Sequence, residues 1–186
     1  EIHKNIKLAE TLNSIAKNGI KDFYTGYIAE DIVKSMKELG GNHCLEDFKN
    51  QNTLFTNTIF NEYKSNILHQ CPPNSPGITV LIMMAILERF NINEIDPLSA
   101  DRFHLQAEAT KLAYEIKESL IGDPNFDNFN FKDLLKREFI TNLVKKISMK
   151  KIYKPKKFSV TAHPETIYLT VVDKDLNAVS LINSIC

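Results

Sequence analysis

Hydroxyl side chains that could take part in catalysis are grouped in residues 166–186, TIYLTVVDKDLNAVSLINSIC. Two runs rich in β-branched and aromatic residues, 166–172 and 178–185, flank the polar segment 173–177. Runs of this kind on either side of Asp, Lys and Asn residues indicate two antiparallel strands joined by a turn. The sequence therefore predicts a β-hairpin here.

The register of this hairpin decides which hydroxyls meet. With Asp175 at the centre of the turn, Thr170 faces Ser180 and Thr166 faces Ser184. Directly opposed residues have Cβ atoms about 5 Å apart, so the hydroxyl of Thr166 has that of Ser184 within hydrogen-bonding reach. A threonine hydroxyl becomes a useful nucleophile when a neighbouring group takes its proton. Facing hydroxyl pairs are also common stabilisers of sheets, and the pairing alone leaves both interpretations open.

The opposite face of the predicted hairpin is apolar. Side chains of a strand alternate between its two faces, so the odd-numbered positions lie together. These positions form a face that we expect to seek the core: Ile167, Leu169, Val171, Val179 and Leu181.

Short blocks of characteristic composition run along nearly the whole chain: FYTG and a following Ala in 23–29, GG and ED in 40–47, CPPNSPGI in 71–78, EATKLA in 108–113, GDPNF in 122–126 and TIYLTVVDKDLNAVS in 166–180. The last block resembles the segment that opens the small subunit of γ-glutamyltranspeptidases and their acylase-like relatives. The earlier blocks are similar to that family's FYxGxxA, GG-x4-ED, PPNSQGI, EAxKLAF and GDPDF segments, in the same order. The chain is thereby identified as a member of that family.

The resemblance implies an N-terminal-nucleophile (Ntn) hydrolase, made as an inactive precursor that cuts itself before a catalytic threonine. The matching threonine is Thr166, and the matching scissile bond is Glu165–Thr166. Cutting there frees an α-amine, ordinarily of pKa about 8, that can serve as the base near neutral pH. The expected activity is acyl transfer or amide hydrolysis of γ-glutamyl compounds such as glutathione, through an acyl-threonine intermediate and without a cofactor or metal.

Two more site residues follow from the resemblance. Ser184 stands where the family has a second threonine that orients the nucleophile, and Cys186 stands where transpeptidases commonly have an asparagine that helps to hold substrate. The chain also reads Thr166-Ile167-Tyr168 in place of Thr-Thr-His, and Leu176 in place of a turn glycine. These departures leave two alternatives: a related acylase or amidohydrolase with a different amide substrate, and a catalytically inactive family member.

The elements that must position these residues are mostly helices. Periodicity favours helices at 6–18, ended by Gly19, and at 27–39, ended by Gly40. The sequence further predicts a short helix at 45–50, short strands at 54–60 and 63–69, a buried helix at 77–90, a long helix at 100–120 with Ser99 as its N-cap, and one or two helices at 131–147. The predicted fold class is α+β. The family fold is the αββα Ntn-hydrolase sandwich, of which this chain is expected to supply mainly the helical layer and a C-terminal β-hairpin.

The resemblance divides the chain into three parts: 1–150 as a helical part of the large subunit, 151–165 as a lysine-rich linker before the cleavage site, and 166–186 as the start of the small subunit. The chain is expected to be a piece of a longer precursor, whose missing N-terminal part and remaining small subunit are its partners. A homodimer is a further arrangement that the resemblance allows. The many lysines of 145–157 predict a solvated linker, and a basic patch for nucleic acid is the weaker alternative.

On the long helix, His104 and Glu108 are spaced as metal ligands can be, but no third ligand has suggestive spacing. Asp101, Glu115 and Glu118 on the same helix are interpreted as ordinary solvated charges.

Composition limits the remaining classes of function. The chain has 186 residues, of which 43% are hydrophobic, with 23 basic and 23 acidic side chains. This balance argues against a general polyanion-binding protein, and the apolar runs are too short for a membrane span of about 20 residues. Three cysteines without metal spacing predict a reducing compartment or buried thiols, so a cytoplasmic location is expected.

Overall fold

The computed structural model describes residues 4–126, 130–156 and 166–184. It divides into two compact units, 1–55 and 56–186. Both helices and strands are present, with strands in two separate antiparallel pairs among the described residues. The structure is thus mixed α and β, as the sequence predicts, while the layer arrangement of the family fold stays a prediction.

The first unit is helical. Its elements are α1 (Ile6–Asn18), α2 (Lys21–Thr25), α3 (Tyr27–Glu38) and α4 (Leu45–Lys49). The side chain of Asn5 accepts a hydrogen bond from the N–H of Leu8 and caps α1, and Gly19, at φ 80°, ends it. Helix α2 is not predicted from the sequence, because its five residues are too few to show a helical period. Buried side chains of this unit come from α3: Ile28, Ala29 and Val33.

The second unit opens with a β-hairpin of β1 (Ile59–Tyr63) and β2 (Asn66–Gln70). The turn residues Lys64 and Ser65 both have positive φ, which suits a tight two-residue hairpin turn. The strand predicted at 54–60 is wrong over 54–58 and the strand predicted at 63–69 begins three residues too early, because this turn fixes the pairing so that Ile59 is opposite Gln70.

Helices α5 (Gly77–Leu87) and α6 (Ala100–Leu120) form the centre of the second unit. Helix α5 is apolar on all sides and largely buried, and α6 packs against it. The hydroxyl of Ser99 accepts from the N–H of Arg102 at 3.3 Å, which confirms the predicted N-cap of α6. Short 3-10 helices at Ile92–Glu94 and Phe131–Leu135 and helix α7 (Arg137–Val144) complete the core around them.

The last described segment is the predicted hairpin, with strands β3 (Thr166–Val172) and β4 (Ala178–Ser184). Its apolar odd-numbered face is exposed, with Ile167 69% and Val179 57% accessible, so the expectation that this face is buried is wrong for the described chain. A two-stranded ribbon has no second layer of its own to cover either face.

No helix among the described residues is long and apolar enough to cross a membrane. Cys44 and Cys71 are free and exposed, so they are not the buried thiols that the sequence analysis offered as one option.

Candidate active site

The predicted nucleophile lies at the open end of the C-terminal hairpin. Thr166 is the first residue of β3, and its Cα partner is Ser184, the last residue of β4. Thr170 is likewise paired with Ser180. The register predicted from the turn is therefore confirmed at every pair. Glu165 and Cys186, the other two predicted site residues, lie outside the described residues.

The turn that sets this register is held by one carboxylate. Asp173 accepts hydrogen bonds from the N–H groups of Asp175 and Asn177, at 2.8 and 2.9 Å, and from the Asn177 side chain at 2.9 Å. These bonds, that from the Asn177 side chain foremost, hold the pKa of Asp173 below its ordinary value. Leu176 has a φ of 65°, so the residue that stands in place of the turn glycine itself adopts the left-handed conformation.

Tyr168 lies on the strand two residues after Thr166, and its hydroxyl group is hydrogen-bonded. The hydroxyl of Ser180 donates to the Tyr168 oxygen at 3.0 Å. Hydrogen bonds from Ser180 and Thr170 lower the pKa of Tyr168. Since neighbouring even-numbered positions share one face of the ribbon, the aromatic ring belongs to the same face as Thr166. From the sequence, Tyr168 is only a departure from the family pattern, and its hydrogen bond to Ser180 is not predicted.

Two glutamates of α6 form a second cluster of functional interest. Glu108 is only 1% exposed and Glu115 9%, so the interpretation of Glu115 as a solvated charge is wrong. Both face the lysine-rich segment that precedes Thr166 in sequence. Glu108 pairs with Lys111 and accepts from the N–H of Tyr153 at 2.8 Å. Asp101 and Glu118 are exposed, as expected.

Glu115 binds the same segment about two helical turns further along α6. One carboxylate oxygen accepts from the Tyr153 hydroxyl at 2.5 Å, and the other accepts from the N–H of Lys156 at 3.0 Å. Burial alone raises the pKa of Glu115, but these hydrogen bonds and the charges of Lys146 and Lys156 outweigh it, so the pKa lies below its ordinary value. Burial and the bond to Glu115 raise the pKa of Tyr153 to about 12.

The structure gives His104 and Glu108 partners within the protein. A ring nitrogen of His104, Nε2, lies 2.9 Å from the carbonyl oxygen of Ser148, and Glu108 is bound to Lys111 and Tyr153. Within the described ranges, no group of three or more His, Cys, Asp or Glu side chains is placed to hold a metal ion. The burial of both glutamates is difficult to predict from the sequence, because α6 carries charged residues on several sides.

Comparison with known proteins decides the family. A family model described as Gamma-glutamyltranspeptidase matches residues 1–186. The chain belongs to the γ-glutamyltranspeptidase family. This membership confirms the resemblance seen in the sequence blocks.

Relatives with 31–32% identity extend over almost the whole chain. The chain is 31% identical to the glutathione hydrolase-like YwrD proenzyme of Bacillus subtilis, over 96% of this chain and 34% of that relative. It is 32% identical to the glutathione hydrolase proenzyme of Escherichia coli, over 94% of this chain and 31% of that relative. The chain therefore spans about a third of the length of these curated relatives.

Solved structures of the family have a similar fold. A γ-glutamyltranspeptidase from Pseudomonas nitroreducens superposes with a TM-score of 0.72 at 26% identity, covering 84% of this chain and 48% of that one. A cephalosporin acylase from Bacillus halodurans gives a TM-score of 0.73 at 26% identity, covering 92% of this chain and 31% of that one. Structural likeness therefore extends to both the transpeptidases and an acylase.

Proposed function

We propose that this chain is part of a self-processing enzyme of the γ-glutamyltranspeptidase type, with Thr166 as its nucleophile. The observation that supports this most directly is the position of Thr166 at the start of β3, paired with Ser184 at the end of β4. Family membership supplies the context, since relatives are named as glutathione hydrolase proenzymes. A proenzyme whose nucleophile begins a strand needs only one peptide bond cut to expose it.

Activation is proposed to break the Glu165–Thr166 bond. The Thr166 Oγ attacks the carbonyl carbon of Glu165, the C–N bond breaks, and an ester to Oγ forms while the freed amine takes up the proton. Water then hydrolyses the ester, leaving the carboxylate of Glu165 and a free α-amine on Thr166. This amine, ordinarily of pKa about 8, is the general base of the mature enzyme.

The mature cycle uses the same atoms on an amide substrate. The Oγ of Thr166 attacks the acyl carbonyl while the α-amine takes its proton, and that proton passes to the departing amine. Water, or the amino group of an acceptor amino acid, then releases the acyl group from the threonine. Ser184 is proposed to orient the Thr166 hydroxyl, and Cys186 to lie in the region that holds substrate.

The proposed substrates are γ-glutamyl compounds such as glutathione. A different amide substrate is the second candidate, favoured by the likeness to the cephalosporin acylase and by Cys186 where transpeptidases commonly have asparagine. The remainder of the precursor is the proposed partner, since the chain spans about a third of its relatives.

Two threonine variants of the full-length parent test the nucleophile. Thr166→Ala is expected to remain a single chain, while Thr166→Ser, which keeps a hydroxyl, is expected to be cut. The processed parent is then mixed briefly with a γ-glutamyl amide, the reaction is quenched in acid, and the masses of the fragments are measured. A fragment beginning at Thr166 that gains the mass of a γ-glutamyl group supports the first candidate. An adduct formed only with other acyl amides supports the second, and processing of Thr166→Ala at the normal rate contradicts both.

A further inference from the structure

Hydrogen bonds join the lysine-rich segment before Thr166 to α6 as far as Lys156. Glu108 and Glu115 accept from the backbone N–H groups of Tyr153 and Lys156, respectively. Lys111 adds a bond from its ammonium to the Tyr153 carbonyl oxygen at 3.0 Å. The prediction of a simply solvated linker therefore does not describe residues 153–156, whose backbone is bound to a core helix on both sides of Pro155.

The chemistry of these contacts requires carboxylates. Each glutamate uses both oxygens as acceptors: Glu108 for Lys111 and Tyr153, Glu115 for Tyr153 and Lys156. A glutamine offers one oxygen and one NH2 group, so it would turn a donor towards a donor. Burying two carboxylates is costly unless they are paired and hydrogen-bonded, as they are here.

Tyr153 links the two glutamates. Its N–H donates to Glu108 and its hydroxyl to Glu115, while its ring packs against the core and has the Lys146 ammonium 5.7 Å from its centroid. The segment 153–156 is thus held through two main-chain N–H groups and through the side chain of Tyr153.

We propose that Glu108 and Glu115 are positioning residues for self-cleavage, which fix the point from which the chain runs to Thr166. This inference rests on the proposed function. Lys156 precedes Thr166 by ten residues, and an extended chain of that length reaches at most about 35 Å. While Glu108 and Glu115 hold residues 153–156, the Glu165–Thr166 bond lies within that radius of a fixed point on the large-subunit core.

The size of the effect follows from chain length. If residues 153–156 were released completely, the next described residue upstream with a hydrogen bond to α6 would be Ser148, at His104, and the stretch to Thr166 would lengthen from ten to eighteen residues. By the chain-length dependence of loop closure, lengthening from ten to eighteen residues lowers the chance of bringing the end to one place about 2.4-fold. The double variant Glu108→Gln/Glu115→Gln is therefore expected to cut more slowly by up to about 2.4-fold, because Lys111 still bonds the Tyr153 carbonyl oxygen, and Tyr153→Phe, which removes one bond, is expected to have a smaller effect.

The experiment measures the first-order rate of precursor cleavage in the full-length parent for wild type, the double variant, Tyr153→Phe and Glu118→Gln. Glu118→Gln is the matched control, because it makes the same chemical change on the same helix, at an exposed residue whose carboxylate pairs with Lys117 at 3.1 Å. The turnover number per processed molecule is measured in parallel. A positioning role slows cleavage and leaves turnover after processing unchanged, whereas a loss of folded protein lowers both.

Hydrogen exchange supplies a readout that does not depend on cleavage. In Thr166→Ala precursor, the amides of Tyr153 and Lys156 are expected to be protected, and to lose protection when both glutamates are replaced. Free exchange of these amides in the parent, or equal cleavage rates for wild type and double variant, overturns the inference alone. A wild-type precursor that is never cut overturns the proposed function and this inference with it, while protection of the two amides would still stand as a separate result.

Discussion

Thr166 and Ser184 are paired residues at the open end of the β3–β4 ribbon, the first of one strand opposite the last of the other. In a ribbon of this register, the two residues stay neighbours whatever packs around them. The geometry therefore assigns a partner to the proposed nucleophile from within the same hairpin.

Replacing that partner tests its role. Ser184→Ala removes the hydroxyl that is proposed to orient Thr166, and it is expected to lower the rate of precursor cleavage about tenfold, the effect of one hydrogen bond of about 1.4 kcal/mol. Ser184→Thr keeps the hydroxyl and restores the residue type that the family resemblance implies, so it is expected to cut at close to the wild-type rate. Rates are measured by following the intact precursor mass with time. Equal rates for the alanine and threonine variants would exclude an orienting role.

The turn that sets this register contains a strained residue. Leu176 has a φ of 65°, a conformation that costs a residue with a Cβ roughly 1 kcal/mol relative to glycine. Leu176→Gly is therefore expected to stabilise the hairpin by up to about 1 kcal/mol, measured as the free energy of unfolding in denaturant.

Lys174→Gly is the control for that change, because Lys174 in the same turn is not among the described residues with positive φ. It is expected to leave stability unchanged or lower it, since glycine only adds freedom to the unfolded chain. If both glycine variants changed stability in the same direction and by the same amount, strain at Leu176 would not be the cause.

The buried carboxylate of Glu115 makes stability depend on pH. Its pKa in the folded protein lies below the ordinary value of 4.5, so the stabilisation is complete above that value and is lost as the pH falls through the folded pKa. Wild-type protein is expected to lose more stability between pH 5 and pH 3 than Glu115→Gln, because the variant has no proton to gain there. Unfolding in denaturant at several pH values checks this, with Glu118→Gln as the exposed control.

Much of the fold could be predicted from local signals. The N-cap at Ser99, the glycine after α1 and the alternation in β3 and β4 are encoded within a few residues of where they act. The hairpin register was recoverable because Asp173 and Asn177 fix the turn by contacts four residues apart.

Features that depend on distant contacts could not be predicted. The sequence of α6 alone predicts that Glu115 is a solvated charge. Its burial comes from contacts with Tyr153 and Lys156, about forty positions away. The first strand was placed too early because the turn at Lys64 and Ser65 has no glycine or asparagine to mark it. The apolar face of β3 and β4 was expected to be buried because alternation predicts which residues share a face, but not what covers that face.

The central claim is that Thr166 cuts the chain before itself, and the intact mass of the full-length parent protein tests it most directly. After purification and incubation near its working pH, the protein is expected to give two fragments whose masses place the break between Glu165 and Thr166. The cleavage rate should be first order and independent of protein concentration, since the nucleophile and the scissile bond belong to one chain. A single uncut mass that persists across pH and temperature would contradict the account and favour a family member that has lost activity.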